Sequence, residues 1–542
     1  MPETNTDFTN GYANSTWLKK QWPWWTAGLL TGIAEIINFL FVPFGHAKHK
    51  FIGVTSGMAR MLAGAETTVF GGSLVATKAD YQPSIQWVII GALIAALVFT
   101  WLEGEFRSWV KYPKAMLVST AFGAFFFAWG TRVAGGCTLH HLLGGFAAMN
   151  IKSWVVMIFA SVGALIGFAL LRKLNLSQYF RSQDTKWFAK QANEKGWADG
   201  LVYDKTNSGT KSWVYKAALS FMIIIGILFL YNAFFGNEWA VQAGYASSFE
   251  KTKMFKAMVS MKNLPNILLL LVIGVLLGGA VAKTGFGTEC GLINPELAAI
   301  AEKGERKGGR LLRMPYSIRT VFLSYQPFAA LSLHIIIIAS VMWIAFSFFG
   351  VMEGHHWATT GFAEQYSQNI GMNFHKTGIA IREMTSLPMD IFGGLLLGIG
   401  TFLMIGCEFR NYGRTGLLYI TGLLIWPFFY VGYLPYTLAR DYWDGLMASM
   451  PYTSTTFFPA LIAPSSKGLE ILIYLIYILI WVAALIWAFK KGASNIGVKP
   501  KDLLKMNSED MYLARLKKVK ADGNMEELDS IEKELYDEAQ KS

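Results

Sequence analysis

The chain has 542 residues, of which 53% are hydrophobic, 15% aromatic and only 15% charged, against about 25% charged in ordinary soluble domains. That balance excludes disorder, a coiled coil and a disulfide-stapled secreted module, and it leaves too much apolar surface for a soluble multidomain enzyme. The net charge of +12 would suggest nucleic acid in a soluble protein. Here Lys and Arg gather in a few short loops, as topology control at a cytoplasmic face requires, so a lipid bilayer is the expected partner and nucleic acid is not.

A span needs roughly 20 apolar residues to cross a hydrocarbon core about 30 Å thick. Ten runs qualify, in chain order 24–44, 85–103, 115–134, 150–171, 213–235, 264–283, 320–349, 387–406, 416–435 and 469–489. Polar residues stand where the basic region of a signal peptide would begin, so 24–44 is expected to stay as a span. Four further stretches, 51–72, 137–149, 286–300 and 407–415, are apolar or glycine-rich but too short to cross alone. They are expected as re-entrant or half helices.

Segments 103–114, 172–212, 302–319 and the stretch after 489 are basic, whereas 350–386 and 436–467 are poor in Lys and Arg. With Lys19 and Lys20 inside, alternation puts every strongly basic loop but one in the cytoplasm, and both termini with them. The exception is 236–263, with Lys251, Lys253, Lys256 and Lys262. The tail, 490–542, is basic to about 520 and acidic over 525–541. A solvated helical hairpin with its basic half near anionic lipid fits that pattern; a docking arm for a cytosolic partner is the alternative.

The chain also repeats itself. Phe122-Gly123 opens a run ending G-T-R-V-A-G-G-C at Gly130 to Cys137, and Phe392-Gly393 opens one ending G-T-F-L-M-I-G-C at Gly400 to Cys407. The offset is 270, with Phe, Gly, Gly, Thr, Gly and Cys in register. A weaker pair precedes each: F-I-G-V-T-S-G at Phe51 to Gly57 aligns on its glycines with G-F-G-T-E-C-G at Gly285 to Gly291, placing Ser56 opposite Cys290. The expected topology makes the halves inverted. Inverted repeats with broken helices are a transporter signature, with a site where the halves meet near the midplane. The expected division is 1–23 cytoplasmic N-terminus, 24–171 first transport repeat, 172–212 cytoplasmic loop, 213–263 linking span and loop, 264–435 second repeat, 436–489 external loop and last span, and 490–542 cytoplasmic tail.

All three cysteines of the chain, Cys137, Cys290 and Cys407, fall in these motifs. A thiol is a weak, soft, polarisable donor, suited to a sulfur- or selenium-bearing ligand held briefly. A soft metal would need converging Cys or Met ligands, so neither metal nor cofactor is expected. Arg132, five residues before Cys137, and Arg410, three after Cys407, are candidates to attract an anion; Arg60 and Arg414 are weaker ones. His140 and His141 point about 100° apart on a helix, so only one can line a path. Glu289 and Asn294 beside Cys290, and Glu408 after Cys407, suit bonds to backbone in a broken helix. Glu35 and Asn38 suit bonds between helices. Phosphate-loop, dinucleotide-binding and H-E-x-x-H patterns are missing, and the lone cysteine in each motif without an activating base argues against an enzyme.

The run G-T-R-V-A-G-G-C-T-L-H-H-L-L-G-G, Gly130 to Gly145, resembles the hallmark of the YeeE/YedE sulfur-transport family, G-x-R-x-A-G-G-C-T followed by a histidine and more glycine. Gly406-Cys407 and Glu289-Cys290-Gly291 are similar to that family's other cysteine motifs. The resemblance covers about 24–171 and 264–435. It implies a helical protein of the bacterial inner membrane with an hourglass-shaped interior. Thiosulfate would pass by hydrogen bonds relayed among thiols, a role that falls on Cys137 and then on Cys290 and Cys407. A small cytosolic sulfurtransferase or sulfur carrier is an implied partner. Leu139-His140 stands where Ser-Gly is usual, and Glu408-Phe409-Arg410 follows the last Cys. The alternatives are a selenium compound or other soft anion as cargo, or a membrane-embedded thiol enzyme relaying sulfur to a cytosolic partner.

Overall fold

An apolar run in lipid has one local solution, the helix, because every backbone N–H and C=O is then bonded within the segment. The computed structural model describes residues 17–18, 21–41, 51–75, 86–102, 109–110, 114–174, 176, 203–204, 213–244, 247–253, 264–306, 316–344, 351–353, 356–358, 386–416, 418–450, 452, 458–463 and 466–523. Among these the chain is helical apart from two short antiparallel pairings, Trp109–Val110 with Tyr203–Asp204 and Val351–Glu353 with His356–Ala358.

Each of the ten apolar runs forms a helix. In chain order with the short segments between them, they are α1 (Trp24–Phe41), α2 (Thr55–Phe70), α3 (Trp87–Leu102), α4 (Lys114–Ala134), a π-helix (Leu139–Phe146), α5 (Ile151–Lys173), α6 (Trp213–Phe235), α7 (Leu264–Thr284), α8 (Thr288–Leu292) and α9 (Asn294–Arg306). There follow α10 (Tyr316–Leu323), α11 (Gln326–Ile344), α12 (Leu387–Leu403), α13 (Glu408–Gly416), α14 (Ile420–Leu438), α15 (Arg440–Ser449), α16 (Lys467–Ile496) and α17 (Ser508–Asp522). Among the described residues, seven helices are long and apolar enough to cross a membrane: α4, α5, α6, α7, α11, α12 with α13, and α16. This is a multi-pass membrane protein.

The other three apolar runs are helical but short or broken. α3 has 16 residues, about 24 Å at 1.5 Å per residue and less than the hydrocarbon thickness. α1 has 18 residues and buries Glu35 and Asn38. α14 holds Pro427 and Pro435 in its interior and turns by 69° into α15. The four stretches set apart as too short become α2, the π-helix, α8 with α9, and α13.

Two helix crossings set the centre. α4 runs along α12 with glycine against glycine: a Cβ added to Gly400 would lie 2.7 Å from the Gly123 carbonyl oxygen, and one added to Gly130 would lie 2.8 Å from that of Gly393. α3 crosses α7 in the same manner, through Gly91 and Gly274. The neighbours are reciprocal. α5 packs on α12 as α14 packs on α4, and α11 packs on α1 as α7 packs on α3. Outer faces of α6 and α16 carry exposed Ile223, Ile224, Ile227, Leu472, Ile476 and Leu479, apolar surface that only lipid covers at low cost.

The start of the tail is docked, where a solvated hairpin was expected. Trp25 Nε1 donates to the Leu504 carbonyl at 3.1 Å, Ser508 Oγ to Gln326 Oε1 at 3.2 Å, and α17 lies against α10 and α16. The acidic end of the tail, Lys19 and Lys20, and most of the loops 172–212, 302–319 and 350–386 lie outside the described residues.

The α12 packing is testable at Gly398, where a Cβ would fall on the Ala160 carbonyl of α5. Gly398→Ala is expected to cost about 1–3 kcal/mol by overpacking. Gly226→Ala on α6, with nothing within 4 Å, should be neutral or stabilising. Thermal unfolding of both variants in detergent checks the pair.

Candidate functional site

Each short helix begins after a break in the chain, and three breaks are turned by residues with positive φ: Gly135 at 77°, Gly285 at 67°, and Ile405 with Gly406 at 62° and 135°. At Gly406 that φ is open in practice only to glycine. The turns end α4, α7 and α12 and start the next helices inside the bundle, bringing Cys137, Thr288 and Cys407 together.

The thiol of Cys137, 1% exposed, lies in hydrogen-bonding range of the Glu408 carboxylate and of the backbone at Val54 and His140. Glu408 Oε2 accepts from Thr55 Oγ1 at 2.9 Å, the first residue of α2. The thiol of Cys407, 2% exposed, is in range of Thr288, through side chain and backbone, and of the Arg410 backbone. Thr288 Oγ1 in turn donates to Thr138 Oγ1 at 3.1 Å. The surroundings of the two thiols correspond: Val54 aligns with Thr288 in the early motifs, and His140 with Arg410 at the 270-residue offset.

Glu289 is buried, in range of the Thr401 side chain, and faces Glu408. Cys290 is also buried, and it falls in the apolar cluster of Phe322, Phe402 and Leu403, apart from the cluster that holds Cys137 and Cys407. A Cβ on Gly287 would lie 3.5 Å from both Cys290 Sγ and Arg410 Nη1, so thiol and guanidinium flank one glycine. Cys407 therefore contacts Thr288, which bonds to Thr138 beside Cys137, and Cys290 follows Thr288 by two residues on α8.

The other candidates separate. Arg132 is half-buried with its guanidinium 5.2 Å from the centre of the Tyr436 ring, beside Arg440 at 5.9 Å from the same ring. It thus belongs to the α14–α15 bend. His140 packs edge-on against Phe51 and close to Gly53, while the His141 Nδ1 pairs with Ser153 Oγ at 3.1 Å; their rings stand 86° apart. Ser56 lies in the first turn of α2. Glu35 Oε1 accepts from Ile52 N at 3.1 Å, so its bond goes to the loop before α2 where one between helices was expected. Arg414 Nη1 donates to Met404 O at 3.3 Å and to Asn411 Oδ1 at 3.2 Å. Among the described residues no group of three or more His, Cys, Asp and Glu is placed to hold a metal ion.

Three residue groups were not singled out from sequence: the threonines Thr55, Thr138 and Thr288, the phenols Tyr412 and Tyr433 near Glu408, and the Lys152–Asp390 ion pair at 3.3 Å. The threonines had a signal, since each stands at the start of a short helix beside a motif residue.

One comparison bears on these elements. Residues 3–166 match the sulphur-transport family model. The resemblance carried by Gly130 to Gly145 is thereby borne out, and the match takes in α1 to α5 with Ser56 and Cys137. The sulphur-transport family is one of transporters, in keeping with a sulfur-related transporter here. Cys290 and Cys407 lie beyond the matched residues and are tied to it by the repeat. No curated protein matches the chain.

The junction between the halves can be tested in a chain carrying Cys137→Ala, Cys290→Ala and Cys407→Ala. Thr138→Cys with Thr288→Cys should then form a disulfide under a membrane-permeable oxidant, seen as a mass loss after alkylation. Thr138→Cys with Thr437→Cys should not.

Proposed function

We propose that this protein imports a small sulfur-containing anion, thiosulfate first among such anions, through a cysteine-lined path between two inverted repeats in a bacterial inner membrane. The observation that carries this reading is the junction of Cys137 and Cys407. Each thiol starts a short helix, and Thr138 and Thr288 join them across the halves. The reciprocal packing of α4 on α12 and α3 on α7 supports an inverted repeat over 24–171 and 264–435. Ten crossings with four re-entering half helices account for the helix list, with both termini cytoplasmic and 490–542 on that side for a sulfurtransferase or sulfur carrier to meet.

The chemistry supports a soft anion. The first turns of α2, the π-helix and α13 present N–H groups at the positive ends of helix dipoles. The hydroxyls of Thr55, Thr138 and Thr288 add hard donors for anion oxygens, and the thiols add weak donors for a terminal sulfur. A weak donor lets the anion leave again, which conduction requires. In this reading Cys137, Cys407 and then Cys290 with Arg410 contact the anion, Ser56 and Glu289 line the path, His140 flanks Cys137, and Arg132 attracts anions at the mouth.

A thiol enzyme has one observation in its favour, the Glu408 carboxylate beside Cys137. It would leave a persulfide or disulfide on a cysteine during turnover, visible in the intact mass; a transporter leaves none.

Proteoliposomes holding only this protein should take up sulfur-labelled thiosulfate. Cys137→Ala and Cys407→Ala should each lower the rate by tenfold or more, about 1.4 kcal/mol of barrier. Full uptake by both variants would remove the thiols from the path, and no uptake by folded wild type would remove thiosulfate.

A further inference from the structure

Two buried carboxyls face the thiols, and neither role proposed above uses their charge. Glu408 is fully buried, bonded through Oε2 to Thr55 and in range of the Cys137 thiol, while its Oε1 has no hydrogen bond among the described residues. Glu289 is 2% exposed, with the Thr401 side chain in range and no cation paired to it among the described residues. Ion pairs among the described residues involve Lys152, Lys253 and Arg440 as cations, and neither glutamate is a partner. The groups around them are the thiols of Cys137 and Cys407, the phenols of Tyr412 and Tyr433, His140 near Cys137, and Arg410 beside Gly287.

A carboxylate in such a place is costly without a cation, whereas a carboxylic acid can donate a hydrogen bond. An anion makes the case stronger. Two charged carboxylates beside its path would repel it, and the same two groups as acids would offer it donors. We propose that Glu289 and Glu408 each bind a proton with the anion, making the protein a proton–anion symporter. This rests on the sulfur-anion reading above. Each carboxylate takes a proton at the uptake side and gives it up where the anion leaves; no bond other than O–H forms or breaks. With a dianion such as thiosulfate, one proton per carboxyl makes the cycle electroneutral. Uptake then follows the pH gradient and not the membrane potential, which would otherwise oppose an anion entering a negative interior.

The test uses the full chain in proteoliposomes with sulfur-labelled thiosulfate. Counterflow against unlabelled thiosulfate, with no gradients, reads the anion alone. An outside-acid pH gradient then reads coupling, and a valinomycin potassium potential reads charge. The expected wild type shows counterflow, accumulates thiosulfate toward a ceiling of about 100-fold for a one-unit gradient, and ignores the potential. In Glu289→Gln and Glu408→Gln the ratio of gradient-driven accumulation to counterflow should fall at least tenfold; a structural defect would lower both together. Counterflow in wild type without pH-driven accumulation overturns the symport and leaves the anion reading standing. Accumulation at wild-type levels in both variants overturns these carboxyls as the carriers. Absence of counterflow in folded wild type overturns the anion reading, and the symport with it.

Discussion

Backbone contact between α4 and α12 fixes where everything else in the centre can be. Gly123 meets Gly400 and Gly130 meets Gly393, and at those points the helices approach as closely as two main chains can. Both helices end within a few residues of these contacts, at Ala134 and Leu403. Cys137 and Cys407 are the first residues after the two turns, so the spacing of the glycines also sets the spacing of the thiols. A side chain at any of the four glycines would push the halves apart and open the junction at Thr138 and Thr288.

Breaking a helix inside an apolar bundle frees backbone groups that lipid cannot satisfy, and the chain meets that cost with a few amides and carboxyls. Asn411 Nδ2 donates to the carbonyls of Gly406 at 3.0 Å and Cys407 at 3.1 Å. Asn150 caps α5 by accepting from Ser153 N at 3.2 Å, and Asn294 Nδ2 donates to Phe322 O at 2.8 Å. Glu35 Oε1 accepts from the Ile52 N–H. These bonds hold the short helices, and with them the thiols and threonines at their starts, in fixed places, as the proposed anion path needs.

The helices were legible because lipid-facing segments announce themselves by length and apolarity, and the four breaks by glycine where the apolar runs stop short. The pairing of Glu408 with Cys137 was not, for it joins residues 271 positions apart and no local rule reaches across that distance. Glu408 was read as bonding to the broken helix beside it, and it bonds to Thr55 of the other half instead. Arg132 was read only as a cation near the end of its span, and its place over the Tyr436 ring, where α14 bends into α15, was not legible. Position along a helix decides direction, and direction near a helix end is set by packing that sequence spacing does not encode.

The two halves differ most where they touch. By the alignments that pair Cys137 with Cys407 and Ser56 with Cys290, Thr138 corresponds to Glu408 and Thr55 to Glu289. The first half thus carries a hydroxyl at both places and the second half a carboxyl at both. Two carboxyls in each half would have put four acids around one junction and removed the Thr55 hydroxyl that now donates to Glu408. Two hydroxyls in each would have satisfied the junction and left it without a group that changes charge. Dividing the types between the halves gives Glu408 a donor in Thr55, gives Thr288 an acceptor in Thr138, and leaves the two buried carboxyls that the proposed symport requires. The repeat supplies the frame twice over, and this one exchange of side-chain type makes its centre chemically able to respond.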